Sequence, residues 1–418
     1  MLQTSSSFEK VLAGFMHLHQ LELVGENDSA AADRVRDDMD QNWSILSECE
    51  KARLNGLSED LYSLSDEIRT ETKPLNPQVK AGLEEAQSAR VARDFDRALS
   101  LYRRWQNYLK PEWISYLRGS IWNEMGQFRL SLYFIEHAHK LNPSNGNLNA
   151  IYLTAIERVE PEKAKEFGLK IIRNSGDYGM EEILSASTVL LKYLWTHHKQ
   201  QEQELLSQII RAISDQLAMT ELLESEPFSE VVPLSYGMLG FCKDLKGQTQ
   251  DAFEDYQKAL RYGCRPDLIW VARGISQYGI HPDSLKDFQS AIDLGTPMIW
   301  PYFYLAHDHL VHGRYQEVLK NCEWALSRTG SSKLFSELHH WQAIAMAQQA
   351  YPESEVRKFF EKAIEYDPHN QMAKDNFMAF HNTATMNHPI PWETPDADSM
   401  RASSLSAELF FENFLFAA

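Results

Sequence analysis

Cysteine is scarce and scattered: Cys49, Cys242, Cys264 and Cys322 are the four in the chain, and no two stand in a Cys-x-x-Cys spacing. That argues against a disulfide framework or a thiolate metal centre and makes a reduced, cytoplasmic setting the expectation. No run approaches the roughly 18 apolar residues that a bilayer span requires. Residues 1–23 lack a basic start, and charges and histidines interrupt their apolar stretch, so they do not read as a signal peptide. Basic excess is missing too. With 41 Lys and Arg against 59 Asp and Glu, the formal net charge is −18, which repels both nucleic-acid phosphate and anionic lipid. No nucleic-acid or membrane partner is expected, and the acid surplus reads as solvated helix faces. No phosphate loop, dinucleotide fingerprint, Gly-x-Ser-x-Gly elbow or His-Glu-x-x-His occurs. The expectation is accordingly a chain without cofactor, bound metal or catalytic residues.

What is present is the composition of a folded protein, 43% hydrophobic and 24% charged. At 418 residues the chain exceeds one ordinary core, so several domains or a repeat array are expected. Period-two alternation is nearly absent and the predicted class is all-α. Residues 1–72 read as a small helical unit, with Phe8, Leu12, Phe15, Met16 and Leu23 forming one stripe and Ser47 with Glu50 a capping box. Trp43 and Tyr62 are expected as core anchors of that unit. Residues 73–78, with Pro74 and Pro77, read as a linker. Residues 79–387 repeat helix, turn, helix, irregularly over 180–227 and with a closing helix near 371–381. A proline-rich linker follows at 388–404, then a hydrophobic segment at 405–418.

The repeat has a period. Gly247, Gly279 and Gly313 recur at 32 and 34 residues, and Ala259, Ala291, Ala325 and Ala363 at 32, 34 and 38. Each unit places a small residue (Gly119, Gly240, Ala272, Ala306) in its first helix, where two helices must approach closely. Its second helix carries a small residue, an aromatic and an alanine, as in Ala252, Tyr256 and Ala259 or Ser284, Phe288 and Ala291. This arrangement resembles the tetratricopeptide repeat over about two thirds of the chain. Gly119, Trp122, Gly126, Phe128, Ala138 and Pro143 match in one unit, with further matches through 233–370. The segment 36–64 is similar to a short helical region of uncharacterised bacterial proteins. The resemblance implies an α-solenoid of stacked hairpins, a right-handed superhelix that binds proteins or peptides without catalysis.

It also implies that the first helix of each hairpin lines a concave face. That register places Trp270, Arg273, Trp300, Phe303, Tyr304, His307 and Trp341 there, an aromatic groove suited to gripping a peptide or helix. Of the positions at which some members clamp a terminal carboxylate, only Arg273 carries a suitable side chain. The densest metal candidate is the run His307-Asp308-His309 with His312, where His309 and His312 share a helix face but lack a third ligand. An alternative enzymatic reading is an α/α-toroid hydrolysing carbohydrate with paired carboxylates drawn from Glu181, Glu182, Glu317 and Glu323. Finally, Leu405–Phe416 is too apolar to stay uncovered, and docking back onto this chain is the expected outcome.

Overall fold

A computed structural model describes residues 6–65, 72–196, 202–222, 231–263, 266–383 and 392–402. Among them are 21 α-helices and no strand. The chain divides into two compact units, Met1–Tyr193 and Leu194–Ala418.

The first unit begins with α1 (Ser6–Leu23), α2 (Ala30–Trp43) and α3 (Glu48–Ser65), followed by α4 (Pro77–Val91) and α5 (Phe95–Trp105). It continues through α6 (Pro111–Glu124), α7 (Phe128–Leu141), α8 (Gly146–Val159), α9 (Pro161–Arg173) and α10 (Met180–Thr196), at whose end the division falls. The capping box before α3 forms: Glu50 accepts from the Ser47 amide at 2.9 Å, and Ser47 Oγ accepts from the Glu50 amide at 3.3 Å. Residues 72–76 are irregular, and Asn76 caps α4 by accepting from the Val79 amide at 3.0 Å. One core runs through α1, α3 and α4–α7, uniting Phe8, Leu54 and Leu57 with Ala86, Tyr102, Trp122 and Phe134. Trp43 packs against that core, whereas Tyr62 is 56% exposed. Tyr62 therefore anchors nothing, because the α3 face that turns inward carries Leu54, Leu57 and Leu61 instead. A buried ion cluster ties α3 to α5 and α6. Asp60 Oδ1 lies 2.9 Å from both Arg103 Nε and Arg118 Nη2, and Arg118 also donates to Ser63 Oγ at 2.8 Å.

The second unit contains α11 (Gln203–Leu222), α12 (Val231–Leu245), α13 (Thr249–Arg261), α14 (Pro266–Ser276) and α15 (Ser284–Asp293). After these come α16 (Trp300–Val311), α17 (Tyr315–Leu326), α18 (Ser332–Gln348), α19 (Glu353–Tyr366), α20 (Gln371–Thr383) and the short α21 (Ala397–Ala402). The helices α12/α13, α14/α15, α16/α17 and α18/α19 pair as hairpins, consecutive hairpins stack, and the first helices α12, α14, α16 and α18 touch in sequence. Small residues permit this. A Cβ on Gly240 would stand 2.8 Å from the Tyr256 ring, and Ala252, Ala259, Ala291, Ala325 and Ala363 are fully buried. In the second hairpin a Cβ on Gly274 would lie 2.7 Å from the Phe288 ring, and Ala272 is half-buried.

The turns repeat one backbone device. Gly126, Gly247, Gly279 and Gly313 take φ of 84°, 75°, 72° and 69°, the left-handed region in which a side chain is costly. The equivalent turns after α4 and α18 fill it with Arg93 (φ 60°) and Ala350 (φ 56°). This is why glycine spacing marks some repeats in the sequence and passes over others.

Candidate peptide-binding face

The aromatic residues expected on the first helices gather on α16 and α18, but they are not open to solvent. Trp300, Phe303, Tyr304, His307 and Trp341 are all buried, Trp270 is half-buried, and Arg273 is engaged. Two layers account for this. Trp300, Phe303 and Trp341 form the rear layer, with ring centroids 6.1 Å apart for Trp300–Phe303 and 4.6 Å for Phe303–Trp341. They fill the seam between hairpins, as large side chains do where ridges meet grooves. Arg273 donates twice to Asp287, at 2.8 and 2.6 Å, and its guanidinium lies over the Phe253 ring. That cation is already paired within its own hairpin, so it offers no carboxylate clamp.

Tyr304 and His307 form the front layer, and what they face is the chain's own C-terminal segment. The Tyr304 hydroxyl donates to the Met400 carbonyl oxygen at 3.1 Å. His307 Nε2 is 2.7 Å from the Pro395 carbonyl oxygen, while its Nδ1 is 2.7 Å from the Tyr278 hydroxyl. A carbonyl can only accept, so Nε2 carries the proton and Nδ1 accepts from Tyr278. Burial lowers the His307 pKa, in keeping with a neutral ring between a hydroxyl donor and a carbonyl acceptor.

Two further residues of this face, Asn376 and Phe360, were not expected there from sequence. The Asn376 side chain on α20 pairs with the main chain of Glu393, donating to its carbonyl oxygen at 2.7 Å and accepting from its amide at 2.9 Å. Asn376 is itself buried and hydrogen-bonded at 2.7 Å to His340 Nε2 on α18. Phe360 on α19 stacks on Trp392, centroids 6.2 Å apart. At the other end the Arg401 guanidinium donates to the Tyr278 carbonyl oxygen, and Ala397 lies against Gly279. Residues 392–402 therefore run from α19 and α20 past α16 to the end of α14, meeting the hairpins in reverse order. Glu393, Asp396, Asp398 and Ser399 stay exposed while Met400 is buried. Asn376 carries a signal in hindsight, as a short amide one turn inside an otherwise apolar helix face, but its partner lies beyond any repeat register.

The docked stretch falls within the proline-rich region 388–404; Leu405–Phe416, expected to dock, lies outside the described residues. The histidine run is consumed structurally. Asp308 pairs with Arg314, His309 Nδ1 accepts from Arg314 Nε at 2.8 Å, and His312 Nδ1 lies 2.8 Å from the Asp308 carbonyl oxygen. No group of three or more His, Cys, Asp or Glu among the described residues could hold a metal ion. Glu182 spends its carboxylate on the Gly179 amide at 2.7 Å and on Asn149 Nδ2 at 2.6 Å, as a helix cap does. Cys242 and Cys322 are buried thiols, Cys49 is exposed, and Cys264 lies outside the described residues. Among the described residues no helix is long and apolar enough to cross a membrane.

No family model matches the chain, and no curated protein matches it. Solved structures of the hairpin-repeat kind do. A tetratricopeptide repeat protein from Parabacteroides merdae is 11% identical over 69% of this chain and 100% of that one, with a TM-score of 0.42. The APC/C hetero-tetramer Cut9-Hcn1 is 12% identical over 94% and 89%, TM-score 0.42. Yeast Tom70 is 13% identical over 80% and 77%, TM-score 0.31. Paired helices, small residues at their crossings and left-handed turn residues together make α4–α9 of the first unit and α12–α19 of the second stacks of tetratricopeptide-like helical hairpins.

Proposed function

We propose that the chain is a non-catalytic interaction scaffold whose second unit binds a peptide segment of a partner protein along α14, α16, α18 and α20. One observation carries this reading: buried Asn376, His307 and Tyr304 direct side-chain polar atoms at main-chain atoms of a crossing peptide. Main-chain hydrogen bonds supply affinity that is largely independent of sequence, and pockets for alternate side chains supply selectivity. The carbohydrate-hydrolase alternative has no comparable support. Its candidate Glu182 is occupied as a cap, and the aromatic surfaces that would stack on sugar are packed against one another.

Panning a displayed peptide library tests the reading. Peptides enriched on the wild-type protein are expected to lose binding to a His307→Ala/Asn376→Ala variant whose helicity is unchanged. A library that yields no ligand dependent on these side chains refutes it.

A further inference from the structure

We infer that residues 392–402 are an internal ligand, and that the partner presents a segment of the same chemistry which must displace them. This rests on the peptide-binding reading of the face and adds to it what the face selects.

The contacts separate what is read from what is tolerated. Main-chain atoms of Glu393, Pro395 and Met400 make four hydrogen bonds with Asn376, His307 and Tyr304, three as acceptors and one, the Glu393 amide, as donor. Four side-chain positions are also read. Trp392 stacks on Phe360, whose ring continues to Phe377 with centroids 5.4 Å apart. Ala397 faces Gly279 so closely that only a small residue fits on either side. Met400 is 3% exposed, and a long unbranched thioether fits an irregular apolar gap well. Arg401 reaches the Tyr278 carbonyl oxygen at the end of α14. In between, Glu393, Asp396, Asp398 and Ser399 are exposed and unconstrained by the face. The structure thus selects an aromatic residue, a small residue five positions on, and Met-Arg three and four beyond the small residue. The peptide is irregular at first and helical for one turn at its end. Asp396 opens that turn by accepting from the Ser399 amide at 2.6 Å, a helix start the segment carries within itself.

Only residues 384–391 separate the segment from α20, so tethering keeps its effective concentration at the face high. A partner peptide then sees the fraction of molecules whose segment is released, and its apparent affinity falls by that fraction. The segment sets a threshold that only a better-matched or multiply attached partner exceeds.

The test uses the full chain and a fluorescently labelled synthetic peptide spanning residues 391–403. Two variants weaken the internal copy without touching the face: Met400→Asp removes the buried thioether, and Glu393→Pro removes the amide donated to Asn376. Both are expected to bind the peptide with affinity at least about tenfold above wild type. Adding Tyr304→Phe or Asn376→Ala to Met400→Asp is expected to abolish that gain, with far-ultraviolet circular dichroism unchanged. The inference is overturned if wild type and tail-side variants bind the peptide equally, or if neither tail-side variant binds it. In that event the segment is a permanent part of the fold, and the library experiment still decides the fate of the face itself. It is equally overturned if Met400→Asp converts a dimer into a monomer in sedimentation, because the occupant would then belong to a second copy.

Discussion

Replacing Gly279 by alanine, with Gly313→Ala as its control, separates the cost of a strained turn from the cost of lifting the docked segment. Both glycines are exposed, end the first helix of a hairpin, and have nearly equal φ, 72° and 69°. A Cβ in the left-handed region costs about 1–2 kcal/mol, offset by about 0.4–1 kcal/mol from reduced freedom of the unfolded chain. Each variant should therefore lose roughly 1 kcal/mol, a Tm drop of about 2–4 °C for a unit of this size. Their surroundings differ. At Gly313 the nearest atom to the new carbon is the Tyr315 hydroxyl oxygen, 3.8 Å away, an ordinary contact. At Gly279 the new carbon would overlap the Ala397 Cβ and stand 3.2 Å from Arg401 Nη1. A methyl fixed to its own backbone cannot swing aside, so the helical turn carrying Ala397 has to move. Moving it exposes Met400, worth about 1.5–3 kcal/mol, and breaks the hydrogen bond from Tyr304, worth about 0.5–1.5 kcal/mol net.

The segment thus loses about 2–4 kcal/mol of docking free energy in Gly279→Ala and none in Gly313→Ala. Hydrogen exchange read by mass spectrometry over residues 392–402 measures this directly, since local opening sets the exchange rate of a docked segment. Exchange there should accelerate by at least about thirtyfold in Gly279→Ala, the factor that 2 kcal/mol commands, and stay at the wild-type rate in Gly313→Ala. Equal exchange in the two variants, or unchanged protection in Gly279→Ala, would refute the reasoning even if both melt earlier.

Three further outcomes follow from the same geometry. Ala350→Gly and Arg93→Gly relieve a left-handed turn residue, and each should raise the unfolding free energy by about 0.5–1 kcal/mol in urea titration; a loss of stability would show that the turns are not strained. Asp244 accepts from the hydroxyls of Tyr256 and Ser276, and burial pushes its pKa up to about 7. The folded state holds that proton above the ordinary value of 3.8, so the group's stability contribution is complete below 3.8 and is lost as pH rises through about 7. Asp244→Asn should remove a pH-dependent change of up to about 4 kcal/mol between those limits, and parallel wild-type and variant stability curves would refute this. His307 has a lowered pKa, so its contribution is present above pH 6.5 and falls as acid protonates the released imidazole first. Protection of residues 392–402 should weaken below pH 6.5, and His307→Gln, which still donates to Pro395, should weaken that dependence.

Much of the second unit was legible because its constraints are local. A residue at a helix crossing has to be small whatever lies elsewhere, so Gly240, Ala252, Ala259 and Ala291 announce the hairpins by identity and spacing alone. Turn glycines are weaker markers. The same left-handed backbone accepts Arg93 and Ala350 at a modest cost, and two of the six described hairpin turns of this type therefore carry no glycine signal. Tyr62 misled for a different reason: an aromatic at helical spacing satisfies an amphipathic pattern whether it ends at the core or beside it. In the first unit the union of α1 and α3 with α4–α7 in one core had no sequence signature, because contacts between helices far apart in the chain leave no period.

The face itself shows where local reasoning stops. Register placed Tyr304 and His307 together on one side of α16, since side-chain direction along a helix follows from spacing, and residues 392–402 lie against that side. It placed Trp300, Phe303 and Trp341 there as well, though these fill the seam behind, because an aromatic that closes a gap and one that meets a ligand occupy neighbouring positions of the same stripe. What separates them is the second component, residues 392–402, and no periodicity connects Met400 to Tyr304 or Glu393 to Asn376. Pro395, just ahead of α21, marks residues 392–395 as non-helical, which is also what keeps the Glu393 and Pro395 main-chain groups free of an internal ladder. A segment whose main chain is not satisfied internally must find donors and acceptors in water or on a surface. Asn376, His307 and Tyr304 supply them, so the proline content that reads as a linker is the physical reason the segment can serve as a ligand.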